Sequence, residues 1–264
     1  MSDYKKILVE KAGETATVTF NNPGLHNAMD EEMLGELVEL CRTLEWDTGT
    51  RFVILTGVGR AFMAGVDMRS EAMWRKGDPD AARLRQRQGQ ELMKRLSALE
   101  QITVAAVNGA CLGAGLAVAI ACDLRIASQS AVWALPNTGV GVFFTWASEP
   151  LLVGLVGPSR AKELVLTGDR VSSEEALAMG LVNRVVPPGQ LMQAVHDVID
   201  RIAANGPLAV RMAKKVANAA AAPYFGDVSL SEPELVERLY LSGEPEEGST
   251  AFLEKRKPRF GRRQ

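Results

Sequence analysis

Two loops built from small residues could bring backbone N–H groups close to a ligand. Residues 59–67 follow the apolar run 51–56, and residues 108–116 follow the apolar run 103–107. Small side chains let a ligand approach the backbone, and the first N–H groups of a helix lack internal partners and carry the positive end of its dipole. Such groups bind anions or a developing oxyanion. Either loop alone is explained by tight turn packing, whereas the pair favours a shared site for negative charge.

The sequence gives little support to other kinds of active site. The chain has two histidines, so a Ser-His-Asp triad or a histidine-based zinc site would need one of them. His196 is predicted on the surface of a helix, and His26 lies in a loop where it could line a site. No GxxxxGK phosphate loop is present, and residues 57–62 lack the third glycine of a dinucleotide fingerprint. We predict no metal site, since the cysteines fit neither a zinc nor a CxxC spacing: Cys41, Cys111 and Cys122.

Alternating and apolar runs predict the elements that must position these loops. Strands are expected at 14–20, 51–56, 103–107, 124–127 and 131–135, and helices at 30–46, 113–122, 190–204, 207–221, 231–241 and 246–256. Ser172 and Glu175 form a capping box that opens a helix ending at Gly180. These patterns predict a strand-rich α/β core over residues 1–190, followed by a helical region over residues 191–264.

Composition and charge narrow the class of protein. The chain has 264 residues, 47% of them hydrophobic and 23% charged, with a net charge of -2, so it has no preference for nucleic acid or membranes. Residues 75–90 lack an apolar face and are expected to form a mobile or solvent-facing helix. The basic tail 255–263 is either a solvated end or an anchor for a polyanionic ligand or a partner subunit. With no visible signal peptide or long apolar span, we expect a cytoplasmic or organelle-matrix protein.

Six groups of residues occur in an order and spacing that are together highly specific. They are Asn22-Pro23 with His26-Asn27-Ala28, residues 61–67, residues 108–115, residues 122–127, residues 166–168 with 176–182, and residues 248–258. Through these segments the chain resembles the crotonase, or enoyl-CoA hydratase/isomerase, superfamily over nearly its whole length. The resemblance implies an α/β fold, a crotonase-like spiral of ββα units that binds acyl-CoA within residues 1–190. It also implies a C-terminal helical trimerisation region at 191–264, homotrimers or dimers of trimers, and no cofactor other than the coenzyme A of the substrate.

The resemblance places an oxyanion hole on the backbone N–H groups of Ala64 and Ala114. Two fixed donors would stabilise the negative oxygen of a thioester enolate, and losing one such donor typically lowers the rate about 100- to 1,000-fold. Substrate contacts are implied along both loops, on the coenzyme A path and at the basic C-terminal end. They are His26, Ala28, Phe62, Met63, Gly65, Asp67, Met68, Gly113, Phe252 and Lys255.

The sequence departs from the family's pattern at the residues that handle protons. The two hydratase glutamates fall on Ala117 and Asn137, and the aspartate of isomerase and dehalogenase relatives falls on Thr145. We therefore predict against hydration by the two-glutamate route, since a general base contributes roughly 100- to 10,000-fold. Asn137 and Thr145 are the expected water-positioning groups. The remaining acids to consider are Glu149, which is the nearest downstream carboxylate, Asp67, which is more simply a turn residue, and Glu91.

Aromatic residues gather where residues 144–148 replace the family's Pro-Gly-x-Gly-Gly loop. Trp133 is expected to belong to the core. Phe143, Phe144 and Trp146 are expected to form a wall of the acyl pocket, because that loop lines the pocket in relatives. Such a wall would suit an aromatic or alicyclic acyl group.

Two functions remain open from the sequence. One is an acyl-CoA enzyme of the hydratase/isomerase type that works through an enolate held in the oxyanion hole. The other is a non-catalytic acyl-CoA-binding homologue or a regulatory subunit, which the missing glutamates motivate. A third interpretation treats residues 108–121 as a membrane or partner-binding helix, and their length and polar interruption disfavour it.

Overall fold

A computed structural model describes residues 4–70, 79–221 and 232–260, which contain ten strands, nine α-helices and two short 3-10 helices. The strands are β1 (Ile7–Ala12), β2 (Thr15–Phe20), β3 (Phe52–Gly57), β4 (Ala61–Met63), β5 (Ile102–Val107), β6 (Ala110–Leu112), β7 (Leu124–Ser128), β8 (Val132–Ala134), β9 (Val171–Ser172) and β10 (Arg184–Val186). The helices are α1 (Glu31–Trp46), α2 (Pro79–Ala98), α3 (Ala114–Ala121), α4 (Glu149–Thr167), α5 (Ser173–Ala178), α6 (Leu191–Ala203), α7 (Pro207–Ala221), α8 (Glu232–Ser242) and α9 (Glu244–Leu253).

The chain alternates between two sheets as it advances. Within the described ranges, one sheet has six strands in the order β1-β2-β3-β5-β7-β10, and the other has four in the order β4-β6-β8-β9. Three successive units each place one strand in each sheet and then a helix: β3-β4-α2, β5-β6-α3 and β7-β8-α4. Equivalent strands of successive units pair in parallel. The predicted spiral of ββα units is confirmed.

Helices on both faces of the larger sheet follow the periodicity of their apolar residues. In α1 the Asp30 carboxylate accepts a hydrogen bond from the Met33 N–H at 2.9 Å, which caps the helix, and apolar residues at helical spacing, such as Leu34, Leu37 and Cys41, are buried. On the other face of the sheet, Val195 of α6 packs with Ile54 in a second apolar cluster. The predicted capping box of α5 is present.

Residues 108–121 lie inside the protein. They contain β6 and α3, and all eight residues of α3 are buried. Their interpretation as a membrane or partner-binding helix is therefore wrong. Among the described residues, no helix combines the length and apolarity needed to cross a membrane.

Helix α2 is packed where a mobile or solvent-facing helix was expected. Ala82, Gln86 and Gly89 are buried, and the helix packs against α1, α3 and α8. The expectation failed because this buried face consists of small and polar residues, which a search for apolar periodicity does not detect. Part of the predicted segment, residues 75–78, lies outside the described residues.

Candidate active site

A cavity of about 480 Å³ opens where the two small-residue loops meet α2, α8 and α9. Its size is within the range of small-molecule sites. Most of the residues predicted to bind substrate or act on it line this cavity: Ala64, Gly65, Met68, Gly113, Ala114, Asn137, Phe143, Phe144, Thr145, Trp146 and Phe252.

The two loops come together because glycines allow their backbones to approach. A Cβ placed on Gly113 would lie 3.7 Å from the Cα of Gly65. Gly65 and Gly113 both have positive φ, at 103° and 49°, a region that other residues rarely adopt. Further into α3, a Cβ on Gly115 would overlap the Met63 carbonyl oxygen. The start of α3 therefore sits directly against the end of β4.

The loop after β4 is fixed by the segment that carries His26 to Met29. The Ala64 N–H donates to the His26 carbonyl at 3.1 Å, the Met29 N–H donates to the Gly65 carbonyl at 2.8 Å, and the Asp67 N–H donates to the Met29 carbonyl at 2.8 Å. The Asn27 side chain, fully buried, donates to the Val58 carbonyl at 2.9 Å and to the Ala61 carbonyl at 2.8 Å. Residues 26–29 thus form the frame on which this loop rests.

The backbone N–H groups of Ala64 and Ala114, the two predicted donors, differ in their hydrogen bonds within the protein. In the described part of the chain, the Ala114 N–H, at the first position of α3, donates to no backbone oxygen. The Ala64 N–H already donates to the His26 carbonyl. A ligand oxygen at Ala64 must therefore share this N–H or displace the His26 carbonyl. The sequence pattern did not indicate this bond, because it depends on how two distant loops lie side by side.

Ala117 and Asn137, the positions of the family's two glutamates, both line the cavity. The Oδ1 atom of Asn137 is buried and has no hydrogen-bond partner among the described residues. A Cβ placed on Gly113 would lie 3.5 Å from this oxygen. An unpaired buried acceptor is costly unless a ligand or water supplies a proton donor. Asn137 therefore offers a ready acceptor beside the Gly113 backbone.

The acids considered from the sequence lie outside this cavity. Glu149 is the first residue of α4, and burial raises the pKa of its carboxyl group. The Asp67 carboxylate accepts a hydrogen bond from the Arg69 N–H at 2.9 Å, as expected for a turn residue. Hydrogen bonds from Arg42 and Arg95 lower the pKa of Glu91, which belongs to a surface ion-pair cluster. Among the described residues that line the cavity there is no carboxylate and no histidine.

The residues predicted along the coenzyme A path are divided between surface and core. His26 is exposed, and its Nε2 lies 3.3 Å from an Arg60 nitrogen. The side chains of Ala28, Phe62 and Met63 are buried and do not line the cavity, so they could contribute only backbone atoms. Lys255 is exposed after α9.

The basic tail is partly used within the chain. Arg256 pairs with Glu247 at 2.6 Å and with Glu254 at 2.6 Å, and its hydrogen bond lowers the pKa of Glu247 to about 2. Arg256 is therefore already paired within the chain. If the tail 255–263 binds a polyanionic ligand, other basic residues of the tail must supply the charge.

Phe143, Phe144 and Trp146 form the aromatic wall of the cavity. Glu232, which the sequence analysis did not identify, is hydrogen-bonded to the loop that carries this wall. Its side chain is buried and its Oε2 accepts hydrogen bonds from Gln86 at 2.7 Å, Gln90 at 2.9 Å and the Ala147 N–H at 2.8 Å. Burial raises the pKa of its carboxyl group, while these hydrogen bonds lower it in part. An acidic residue at the start of a helix is ordinarily exposed. Glu232 is buried because α8 packs against α2, which is distant in the sequence.

The aromatic wall is strained as well as anchored. Trp146 and Ala147 have φ values of 65° and 55°, a left-handed conformation that is uncommon outside glycine. The Trp146 indole occupies the space beside Gly89 of α2, where a Cβ would overlap it. Phe143, Phe144 and Trp146 all line the cavity as predicted. Trp133 lies in the core, as expected, with its Nε1 3.3 Å from the Ser173 hydroxyl.

Comparison with known proteins identifies related chains over the full length. A family model described as enoyl-CoA hydratase/isomerase matches residues 10–263. The chain is 33% identical over 256 residues to a short-chain-enoyl-CoA hydratase of Clostridium acetobutylicum, covering 97% of each chain. It is 34% identical to a crotonyl-CoA hydratase of Syntrophomonas wolfei, covering 97% of this chain and 98% of that one. A crystal structure of an enoyl-CoA hydratase from Mycobacterium avium subsp. paratuberculosis superposes with a TM-score of 0.87 at 27% identity, covering 98% of this chain and 99% of the other.

Replacing Glu232 should loosen the aromatic wall. In Glu232→Ala, the Ala147 N–H and two glutamine amides lose a shared acceptor, and leaving such donors unpaired costs roughly 1–3 kcal/mol. We expect the KM for an acyl-CoA thioester to rise about tenfold or more, with a shift of tryptophan fluorescence. The matched control is Glu234→Ala, on an exposed position of the same helix. Equal KM values and spectra for both variants would show that Glu232 does not organise the wall.

Proposed function

The chain belongs to the enoyl-CoA hydratase/isomerase family, and from that membership we propose how its cavity is used. An acyl-CoA thioester binds with its carbonyl oxygen between the backbone N–H groups of Ala64 and Ala114. Negative charge develops on that oxygen as the substrate passes through an enolate. A donor that is fixed in advance stabilises this charge without reorganising, and losing one such donor typically lowers the rate about 100- to 1,000-fold. The observation that carries the proposal is the contact of the two loops at Gly65 and Gly113.

The Ala114 N–H is the stronger of the two proposed donors. It lies at the first position of a helix whose eight residues are buried, so little water screens the dipole there. The Ala64 N–H must be shared with the His26 carbonyl, or the His26 loop must move slightly on binding. Because neither donor is a side chain, substitutions at Ala117 or Asn137 leave them in place.

Proton transfer in this proposal runs through water or the substrate itself. Asn137 supplies an unpaired acceptor beside Gly113, and Thr145, which also lines the cavity, supplies a hydroxyl. Either group can orient a water molecule, and neither takes up a proton near neutral pH. The proposed reaction is therefore a proton shift or addition through the enolate that does not use a glutamate pair. It requires no cofactor beyond the coenzyme A of the substrate.

The acyl group is proposed to be aromatic or alicyclic. Three aromatic side chains, Phe143, Phe144 and Trp146, stand together on one wall of the cavity. Planar or cyclic groups pack against such rings by offset stacking and edge contacts. The anchoring of this wall by Glu232 supports a pocket of defined shape.

A non-catalytic acyl-CoA binder is the second candidate. The observation that favours it is that, in the described residues, the cavity is lined by no carboxylate and no histidine. Such a protein would keep the two backbone donors to hold the thioester without turning it over.

One experiment separates the two candidates. Enoyl-, aromatic and alicyclic CoA thioesters are incubated with the protein, the products are identified by mass spectrometry, and binding is measured in parallel by calorimetry. We expect turnover of at least one cyclic thioester. Tight binding of several thioesters with no product would favour the non-catalytic candidate, and neither binding nor product would contradict the proposal as a whole.

We propose that the chain assembles with copies of itself through its C-terminal helices. In α7, Leu208, Met212 and Val216 recur every fourth residue and are exposed, forming an apolar stripe. The opposite face is held to the core, where Lys214 pairs with Asp123 at 2.7 Å. A stripe of this kind is typical of a surface that a partner covers.

Sedimentation velocity tests this assembly. We expect the wild-type protein to sediment as a trimer or a dimer of trimers, and Met212→Glu to shift it towards smaller species because a charge enters the stripe. Ala213→Glu, at the neighbouring exposed position of the same helix, is the matched control. A monomeric wild type, or an unchanged Met212→Glu, would contradict the assignment of this surface.

A further inference from the structure

Arg85 is a cation on the cavity wall for which the described part of the chain offers no anionic partner. It lies on α2 and lines the cavity, and its Nη2 atom is buried with no hydrogen-bond partner among the described residues. Two other arginines of the same helix are paired: Arg83 with Asp80 at 3.2 Å and Arg95 with Glu45 at 2.6 Å. Burying part of a guanidinium without a counter-charge costs folding free energy, so the position of Arg85 in the cavity calls for an explanation.

Within residues 4–70, 79–221 and 232–260, no carboxylate pairs with Arg85. The buried carboxylate of α8, Glu232, receives hydrogen bonds from Gln86, Gln90 and Ala147. Tyr240, two turns further along α8, is the group that faces Arg85, and the positive charge of Arg85 partly offsets the rise that burial causes in the Tyr240 pKa. The remaining ionisable side chain on the described lining is Arg170, which is also cationic.

We propose that the acyl group bound in this cavity carries a carboxylate away from the thioester, and that Arg85 binds it with the Tyr240 hydroxyl beside it. Arginine suits a carboxylate because its planar guanidinium can donate two parallel hydrogen bonds. The cavity then receives two kinds of negative oxygen at different places: the enolate at the backbone loops and the carboxylate at Arg85. This inference rests on the proposed function, since it assigns the class of acyl group for the same site.

Binding of matched thioesters tests this inference. Succinyl-, glutaryl-, adipoyl- and suberoyl-CoA are each compared with their ω-methyl ester by calorimetry, which removes the charge and keeps the chain length. We expect at least one free acid to bind the wild-type protein about 10- to 100-fold more tightly than its ester, the range of a charge-assisted hydrogen bond. Arg85→Met should abolish this preference, and Arg85→Lys should keep part of it. Arg87→Met, at an exposed position of the same helix, should leave it unchanged.

Each other outcome has a distinct meaning. Equal binding of every acid and its ester by the wild-type protein would overturn the inference while leaving the proposed function intact. Equal weakening of free coenzyme A and all thioesters by Arg85→Met would mean that Arg85 binds a coenzyme A phosphate, which also overturns it. If none of these linear thioesters bound the wild-type protein, the inference would fail, whereas the proposed function would fail only if the enoyl, aromatic and alicyclic thioesters also did not bind. The comparison of acid and ester in the wild type needs no variant, so it holds even if Arg85→Met does not fold.

Discussion

The site depends on how closely the start of α3 approaches the loop after β4. A side chain at Gly115 would overlap the Met63 carbonyl, and one at Gly113 would contact Gly65. The parallel pairing of β4 with β6 brings the two loops to the same edge of the smaller sheet. Residues 26–29 then hold the first loop from the other side through three backbone hydrogen bonds. The close approach of the two backbone loops, rather than any reactive side chain, forms the proposed site for negative charge.

This arrangement explains how the chemistry of the cavity can vary while its backbone remains the same. Ala117 and Asn137 line the cavity beside the loops, and the hydrogen bonds that hold the first loop come from residues 26–29 instead. The far wall is built separately, from α2, α8 and the aromatic loop, and Glu232 joins these three parts through its hydrogen bonds. The backbone donors, the polar group at Asn137 and the cation at Arg85 are therefore independent features of one cavity.

Local patterns in the sequence predicted the parts of the fold that local interactions determine. The helix α1 was predicted from its apolar periodicity, the buried α3 from a run that is small and apolar throughout, and the capping box at Ser172 from its end signal. Features that depend on distant contacts were not found. Glu232 and Gln86 are 146 residues apart in the chain, and the buried face of α2 is small and polar. Strands β4 and β10 are too short to show a pattern of their own.

The central claim is that the Ala114 N–H stabilises charge on the thioester oxygen. Proline is tolerated at the first position of a helix, so Ala114→Pro removes this donor and should leave α3 able to form, whereas Ala114→Gly keeps the donor. For a thioester that the wild-type protein converts, kcat should fall about 100- to 1,000-fold in the proline variant and stay within a few-fold in the glycine variant, at matched melting temperatures. A folded Ala114→Pro protein with the kcat of the wild type would contradict the account.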